Sequence, residues 1–313
     1  MKKLLALALG TVVLTAFVAG CGKSNPSSPS SSATPSAKDI AAVNAAIAAN
    51  PSAVNEDVYE SNSPASLDAP SGGLAAIRPL FWWRRIESNT RTMDTQYTDP
   101  DSLGNPTMAT VSVHRHLVGT FNILVGDSTS FPDSLLRKAL NDHWERKLLM
   151  RRVRVDSLGN PVWRLVGTSG VVVTSEGAVT HIQSVRLQVG TVDTTITDPL
   201  QLHRLRRVLK VPAGMRLTVT VTTSAADDIV VLYRRWGFRS RFHNNGDNTY
   251  TASWLTSDES GMRNFGVNAL SHGTLLDDAA PYDSHAWIFP YAVHDRDCDM
   301  DHEGDDDDHH GDD

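Results

Sequence analysis

Carboxylate and imidazole side chains are concentrated at the C-terminal end of the chain, in residues 295–313. Carboxylate oxygens are ligands for Ca²⁺ or Mg²⁺, whereas imidazole and thiolate groups suit Zn²⁺, Ni²⁺ or Cu²⁺. This tail predicts either weak, multivalent binding of a divalent cation or a solvated segment that aids solubility or lies on basic residues of the body. The candidate metal ligands are Asp297, Asp299, Asp301, His302, Glu303, His309 and His310, with Cys298 among them.

Arginines and aromatic residues recur in small clusters along the rest of the chain. Arginines that converge in space would bind phosphates, anionic lipid or acidic glycans, whereas separate clusters would lie on the solvent faces of twisted strands. Tryptophans and Tyr282 would line a sugar-binding surface or pack in the core. The arginine clusters are Arg84-Arg85, Arg151-Arg152-Arg154, Arg204-Arg206-Arg207 and Arg234-Arg235 with Arg239 and Arg241, and the tryptophans are Trp82, Trp83, Trp236, Trp254 and Trp287.

Known catalytic signatures are absent from the sequence. It has no Gly-x-Ser-x-Gly, no His-Glu-x-x-His, no phosphate loop and no dinucleotide fingerprint. Asp283-Ser284-His285 contains triad residue types, but neighbours on a strand do not face one another, and Asp277-Asp278 near Pro281 is typical of a turn. His114 and His116 share a strand face without an identifiable third ligand, which indicates an exposed face. The sequence therefore predicts a protein that is not an enzyme, with a site assembled from distant loops as the alternative.

The charge of the chain is unevenly distributed. Because residues 295–313 carry −10 and Lys2 and Lys3 carry +2, the net charge of −7 leaves +1 for residues 21–294. A nearly neutral body argues against nucleic acid as a partner. With only Cys21 and Cys298 in the chain, we expect no disulfide framework.

The N-terminus resembles the signal peptide of bacterial lipoproteins. Lys2 and Lys3 precede an apolar run, and Val18-Ala19-Gly20-Cys21 follows it as a cleavage site. The resemblance implies removal of residues 1–20, lipidation of Cys21 and anchoring of the chain to a membrane. Gly22, rather than aspartate, follows the cysteine, which in Gram-negative lipoproteins favours the outer membrane. The run is too short for a transmembrane helix.

Residues 21–76 read as a lipidated cysteine, a Ser/Pro-rich linker and one short helix. Seven of the seventeen residues in 22–38 are serine, so this part cannot bury apolar surface and should stay extended and solvated. Residues 39–50 predict a helix with Asp39 as its N-cap, ended by Asn50-Pro51. So short a helix either docks on the body or frays.

From residue 77 the pattern becomes β, with Thr-, Val- and Arg-rich runs separated by turns. We expect a β-rich domain over residues 77–197, with strands that include 81–87, 90–98, 109–125, 144–155 and 162–173. The hexapeptide Asp-Ser-Leu-Gly-Asn-Pro occurs at 101–106 and 156–161 and predicts two similar hairpin turns, with a true repeat as the alternative. Residues 134–147 also fit a helix, which would make this domain α+β.

Residues 198–294 predict a second β domain of about seven strands, the number typical of an Ig-like sandwich. The stretch 247–254, then Gly261 and Val267-Asn268-Ala269, is similar to the late strands of bacterial Ig-like and fibronectin-III-like surface modules. The resemblance implies a stalk or binding role and carries over no catalytic residue. The predicted fold is thus mainly β, with two β domains and an Ig-like C-terminal one.

Together these features predict a membrane-anchored lipoprotein that acts as a non-catalytic binding or structural module at the cell envelope. The expected partners are the membrane, through the lipid anchor, and a glycan or another envelope protein. The expected cofactor is none, apart from a divalent cation bound weakly by the tail. Divalent-metal buffering by that tail is the competing function.

Overall fold

Alternating apolar and polar side chains build most of this chain into β-strands. The computed structural model describes residues 32–53, 59, 65–66, 77–126, 134–234 and 238–294. Within these ranges the fold is mainly β, as predicted from the sequence. No helix in this part of the chain is both long enough and apolar enough to cross a membrane.

The described elements are two α-helices, two 3₁₀ turns and sixteen strands. The helices are α1 (Ala37–Ala48) and α2 (His272–Leu276), and the 3₁₀ turns are Pro51–Ala53 and Leu205–Arg207. The strands are β1 (Ala65–Ser66), β2 (Pro79–Pro100), β3 (Pro106–Val125), β4 (Ser134–Val155), β5 (Pro161–Ser175), β6 (Ile182–Val189), β7 (Val192–Ile196), β8 (His203–Arg204), β9 (Leu209–Pro212), β10 (Arg216–Thr223), β11 (Ile229–Arg234), β12 (Phe238–Arg241), β13 (His243–Asn244), β14 (Thr249–Leu255), β15 (Gly261–Leu270) and β16 (Ser284–His294).

These strands form two sheets. The larger has eleven described strands in the order β1-β2-β3-β4-β5-β16-β15-β11-β12, with β8 paired to β5 and β9 paired in parallel to β16. The smaller has the order β13-β14-β10-β6-β7. In the larger sheet β1 and β12, the two ends of the order, also contact each other, so the sheet curves around one of its faces.

Two long hairpins, β2–β3 and β4–β5, form one half of the larger sheet. Both repeated hexapeptides are hairpin turns, as predicted. In each turn the backbone N–H of the aspartate donates a hydrogen bond to the backbone carbonyl of the asparagine, with N···O distances of 2.8 and 2.9 Å. Gly104 and Gly159 have φ values of 79° and 73°, while the asparagines that follow keep negative φ. Only the glycine therefore supplies the left-handed conformation that these turns need.

Two local interpretations of these hairpins were wrong. Residues 134–147 are not a helix but the first part of strand β4, which pairs along its length with β3. Predicted strands 81–87 and 90–98 are one continuous strand with a register shift between Ile86 and Ser88. Gly119 lies opposite this shift, where an added Cβ would be 1.9 Å from the carbonyl oxygen of Arg85, so the two backbones approach too closely for any side chain.

Strands β11, β15 and β16 are buried on both faces and separate two hydrophobic cores. In β15, Leu270 faces the core inside the curved sheet, whereas Phe265 and Val267 face the smaller sheet. In β16, Ile288 faces the core inside the curved sheet and Trp287 faces the smaller sheet. The continuous apolar runs of β11 and β16 fit this double burial, because neither face of these strands is exposed to water.

The short helix docks on the body. Val43 and Ile47 of α1 are buried in the first core, and the Trp163 indole of β5 donates a hydrogen bond to Asp39 at 3.1 Å. The predicted N-cap was wrong, because Ser36 is the cap and Asp39 completes a capping box three residues later. Upstream, Ser32 of the predicted linker bridges to Thr98 of β2.

The finer prediction of two domains with an Ig-like sandwich is not confirmed by this topology. Strand β16, from the predicted second domain, pairs with β5 from the first, and β9 pairs in parallel with β16. Strand β6, also from the first range, lies in the smaller sheet beside β10 of the second. Strands from both predicted ranges therefore share both sheets.

Candidate anion-binding groove

Two arginine clusters that are far apart in the sequence converge on one groove. Arg151 comes from β4, Arg204 from β8, and Arg206 from the 3₁₀ turn that follows β8. The groove has a volume of about 610 Å³. Its other walls are formed by Asp99, Thr107 and the apolar residues Met108, Leu165, Val166 and Leu205. We call it the arginine groove.

Sheet pairing explains how these arginines meet. Arg151 of β4 lies opposite Met108 of β3, so its position follows from the register of a long hairpin. Arg204 is brought in by β8, which pairs with β5 through Gly167. A Cβ on Gly167 would lie 2.7 Å from the carbonyl oxygen of His203, so a glycine is required for β8 to lie this close.

The groove is basic and open to solvent. Arg151, Arg204 and Arg206 are exposed, and among the described residues no carboxylate forms an ion pair with them. Asp99 contributes one opposing charge. Guanidinium groups hold phosphates and carboxylates through paired N–H donors, so three of them around an apolar floor suit an acidic group attached to a larger, partly apolar body.

Arg152, the next residue of the same cluster, is engaged elsewhere. Its guanidinium lies 3.5 Å from the carboxylate of Asp101 in the first hairpin turn. The Asp101 carboxylate also accepts the backbone N–H groups of Asn105 and Leu103, each at 2.9 Å. These hydrogen bonds, that of Asn105 above all, lower the pKa of Asp101. Arg152 is therefore paired with this turn and does not line the groove.

Arg84 is wholly buried inside the curved sheet, against the prediction of a solvent-facing arginine pair. Its guanidinium donates hydrogen bonds to the hydroxyl oxygens of Tyr233 and Tyr282 and, at 2.8 Å, to Oδ1 of Asn268. The ring of Tyr59 lies 4.2 Å from its Cζ. The sequence contains a signal for this burial. Arg84 is two residues from Trp82, so both side chains face the same side of β2, and a tryptophan favours a buried face.

Two tyrosines join Arg84 to the buried carboxylate of Asp142. The hydroxyl groups of Tyr59 and Tyr282 donate to Oδ2 of Asp142 at 2.8 and 3.2 Å. Burial raises the pKa of Asp142, and the nearby Arg84 opposes that rise. The cluster is buried and links β2, β4, β11 and β15 to the segment at Tyr59, so its role is structural.

The other predicted site residues are dispersed. His116 stacks on His143 of the neighbouring strand with ring centroids 5.0 Å apart, and no group of three or more metal-binding side chains occurs among the described residues. Ser284 faces the Arg84 cluster, whereas Asp283 accepts a hydrogen bond from Thr180 at 3.1 Å on the opposite side, so no triad forms. Cys21, the tail residues 295–313 and Trp236 lie outside the described residues.

The aromatic residues that the structure describes pack mainly in the cores. Trp82, Trp254, Tyr282 and Trp287 are buried, whereas Trp83 is partly exposed and Phe81, on the same strand, is 42% exposed. The four buried side chains cannot form the predicted sugar-binding surface.

No family model, curated protein or solved structure matches this chain. The resemblances to lipoproteins and to Ig-like surface modules stay predictions.

Proposed function

We propose that this chain is a lipid-anchored envelope protein that acts as a non-catalytic binding module, with the arginine groove as its binding surface. The supporting observation is the convergence of Arg151, Arg204 and Arg206 on one groove without a described carboxylate paired to them. The anchor would be Cys21, and the Ser/Pro-rich linker would hold the body clear of the lipid headgroups. Of the membranes in a Gram-negative envelope, the outer one is favoured.

The chemistry of the groove favours an acidic glycan as the ligand. A uronic acid or phosphosugar offers carboxylate or phosphate oxygens to the arginines and its C–H faces to Met108, Leu165 and Leu205. Because the arginines are exposed, each contact contributes little, and affinity requires several acidic groups together. Binding should therefore weaken as salt concentration rises.

Calorimetric titration of the full chain with oligogalacturonate, and with neutral oligogalactose of equal length, tests this function. We expect saturable binding of the acidic oligomer only, and at least a tenfold loss in the double variant Arg151→Gln/Arg206→Gln. Arg91→Gln, which removes an exposed arginine outside the groove, is the matched control. Equal binding by all three proteins, or equal binding of both sugars, would contradict the proposal.

The anchor is tested separately, by metabolic labelling with an alkyne-tagged fatty acid in a bacterial host. Label should enter the wild-type chain and be lost in Cys21→Ser. Label that persists in Cys21→Ser would place any lipid on another residue and remove the basis for anchoring.

Divalent-cation binding is a second candidate function, favoured by the alternating Asp297, Asp299 and Asp301 beside three histidines. Calorimetric titration with Ca²⁺ and Zn²⁺ should compare the full chain with one that ends at residue 294. Micromolar binding that is lost with residues 295–313 would make cation handling the leading function. Equal, negligible heats would eliminate it.

A further inference from the structure

A second cavity lies beside the arginine groove, between β5, β7 and the segment 203–209. Its volume is about 300 Å³. The inner wall is apolar and includes the buried side chains of Leu187, Phe265 and Phe289.

Close backbone packing excludes a side chain at one position of the cavity's β5 wall, which Thr168 and Ser169 also line. Gly170 lines it, and a Cβ there would lie 2.8 Å from the carbonyl oxygen of Ile288 and 2.9 Å from that of Pro199. The Gly170 N–H donates to the Pro199 carbonyl at 2.9 Å, which holds the loop after β7 against β5. A glycine is therefore required at this position of the cavity wall.

The size and lining of the cavity indicate an apolar ligand. An engineered cavity of about 150 Å³ lined by apolar side chains stays dry and binds benzene. Twice that volume holds roughly ten to twelve carbon atoms by the same scaling. Water is a poor occupant beside Leu187, Phe265 and Phe289, because a buried water needs two to four polar partners that these side chains do not supply. The buried hydroxyl groups of Thr168 and Ser169, which also line the cavity, already donate to backbone carbonyls.

Polar side chains at the mouth indicate the charge of the ligand. Asp198, His203 and Arg207 line the cavity and are exposed. The carboxylate of Asp198 accepts the Leu200 N–H at 2.9 Å within its own turn and keeps its negative charge. Arg207 supplies the guanidinium at the opening, and a carboxylate is the complementary partner of that guanidinium.

We propose that this cavity binds a free medium-chain fatty acid, with an alkyl chain of about ten to twelve carbons inside and its carboxylate against Arg207. The inference does not depend on the arginine groove and goes beyond the proposed function. The cavity has the general form of small-molecule sites, which are apolar clefts with a few polar groups that fix the orientation of the ligand.

The test is calorimetric titration of the full chain with dodecanoate below its micellar concentration, alongside dodecanol as an uncharged probe. We expect one dodecanoate per chain and a negative heat-capacity change on binding. Arg207→Gln should weaken dodecanoate at least tenfold and leave dodecanol unchanged. Absence of saturable dodecanoate binding by the folded wild-type chain would overturn the inference.

Two occluding variants locate the site. Val192→Trp and Thr194→Trp place an indole at the exposed edge strand β7, whose residues 192 and 194 line the cavity, and each should reduce binding at least tenfold. Thermal unfolding within a few degrees of wild type would show that each variant folds. Unchanged affinity in both folded variants would overturn the cavity as the site. Arg151→Gln/Arg206→Gln, which tests the groove, should leave dodecanoate binding intact, so failure of one proposal is distinct from failure of the other.

Discussion

His285 should make this protein sensitive to mild acid, because its imidazole is buried in the neutral form. The residue lies on β16 with 8% of its surface exposed, and its Nδ1 accepts the backbone N–H of Ile182 at 2.8 Å. Burial, and secondarily the neighbouring His181, lower the pKa of His285 from 6.5 to about 4. Protonation would both charge a buried ring and remove the acceptor of Ile182.

The magnitude follows from linkage between proton binding and folding. The unfolded chain binds a proton at His285 near pH 6.5 and the folded chain only near pH 4, so stability is full above pH 6.5 and falls as the pH drops towards 4. A difference of about 2.5 pKa units corresponds to roughly 3 kcal/mol. By pH 5, about 2 kcal/mol of this should already be lost.

Urea unfolding at pH 7 and pH 5, followed by tryptophan fluorescence, measures the effect. His285→Asn keeps an acceptor near Nδ1 but has no titrating ring, so the wild type should lose about 2 kcal/mol more than this variant over that interval. His243→Asn, which removes an exposed histidine, should lose stability as the wild type does. An equal loss in the wild type and in His285→Asn would refute the assignment of a buried neutral imidazole.

Two further predictions concern the long hairpins. Arg84→Met should destabilise the fold by about 3–5 kcal/mol in chemical unfolding, because it leaves the buried Asp142 with its tyrosines but without its counter-charge, whereas Arg85→Met, which changes the exposed neighbour, should stay within about 0.5 kcal/mol; similar losses in both would contradict a special role of the buried cluster. Gly119→Ala should cost about 3 kcal/mol in the same assay, since the added methyl group meets the Arg85 carbonyl. A gain of up to about 1 kcal/mol, the ordinary effect of replacing a strand glycine by alanine, would show that the strands separate easily there.

Local patterns of sequence account for most of the elements. Both Asp-Ser-Leu-Gly-Asn-Pro turns were predictable, because a glycine with positive φ and an aspartate that accepts nearby N–H groups act within six residues. Residues 134–147 were ambiguous, because Leu135, Leu136 and Leu140 fit a helical face as well as a strand. These residues form a strand because β4 pairs with both β3 and β5. That pairing cannot be read from the local residue preferences of 134–147.

Residue types and their order along the chain determined that it is mainly β, that its body is nearly neutral and that its acidity lies in one tail, because these properties depend on local alternation and on the position of charges. Tertiary structure alone decided that Arg84 is buried while Arg151 meets Arg204, and that one sheet joins the two predicted domains. Tertiary structure also brings Tyr59, from a stretch that reads as polar linker, into the Arg84 cluster. Such contacts join residues tens to hundreds of positions apart, so they depend on strand order and register, which a single strand's pattern does not specify.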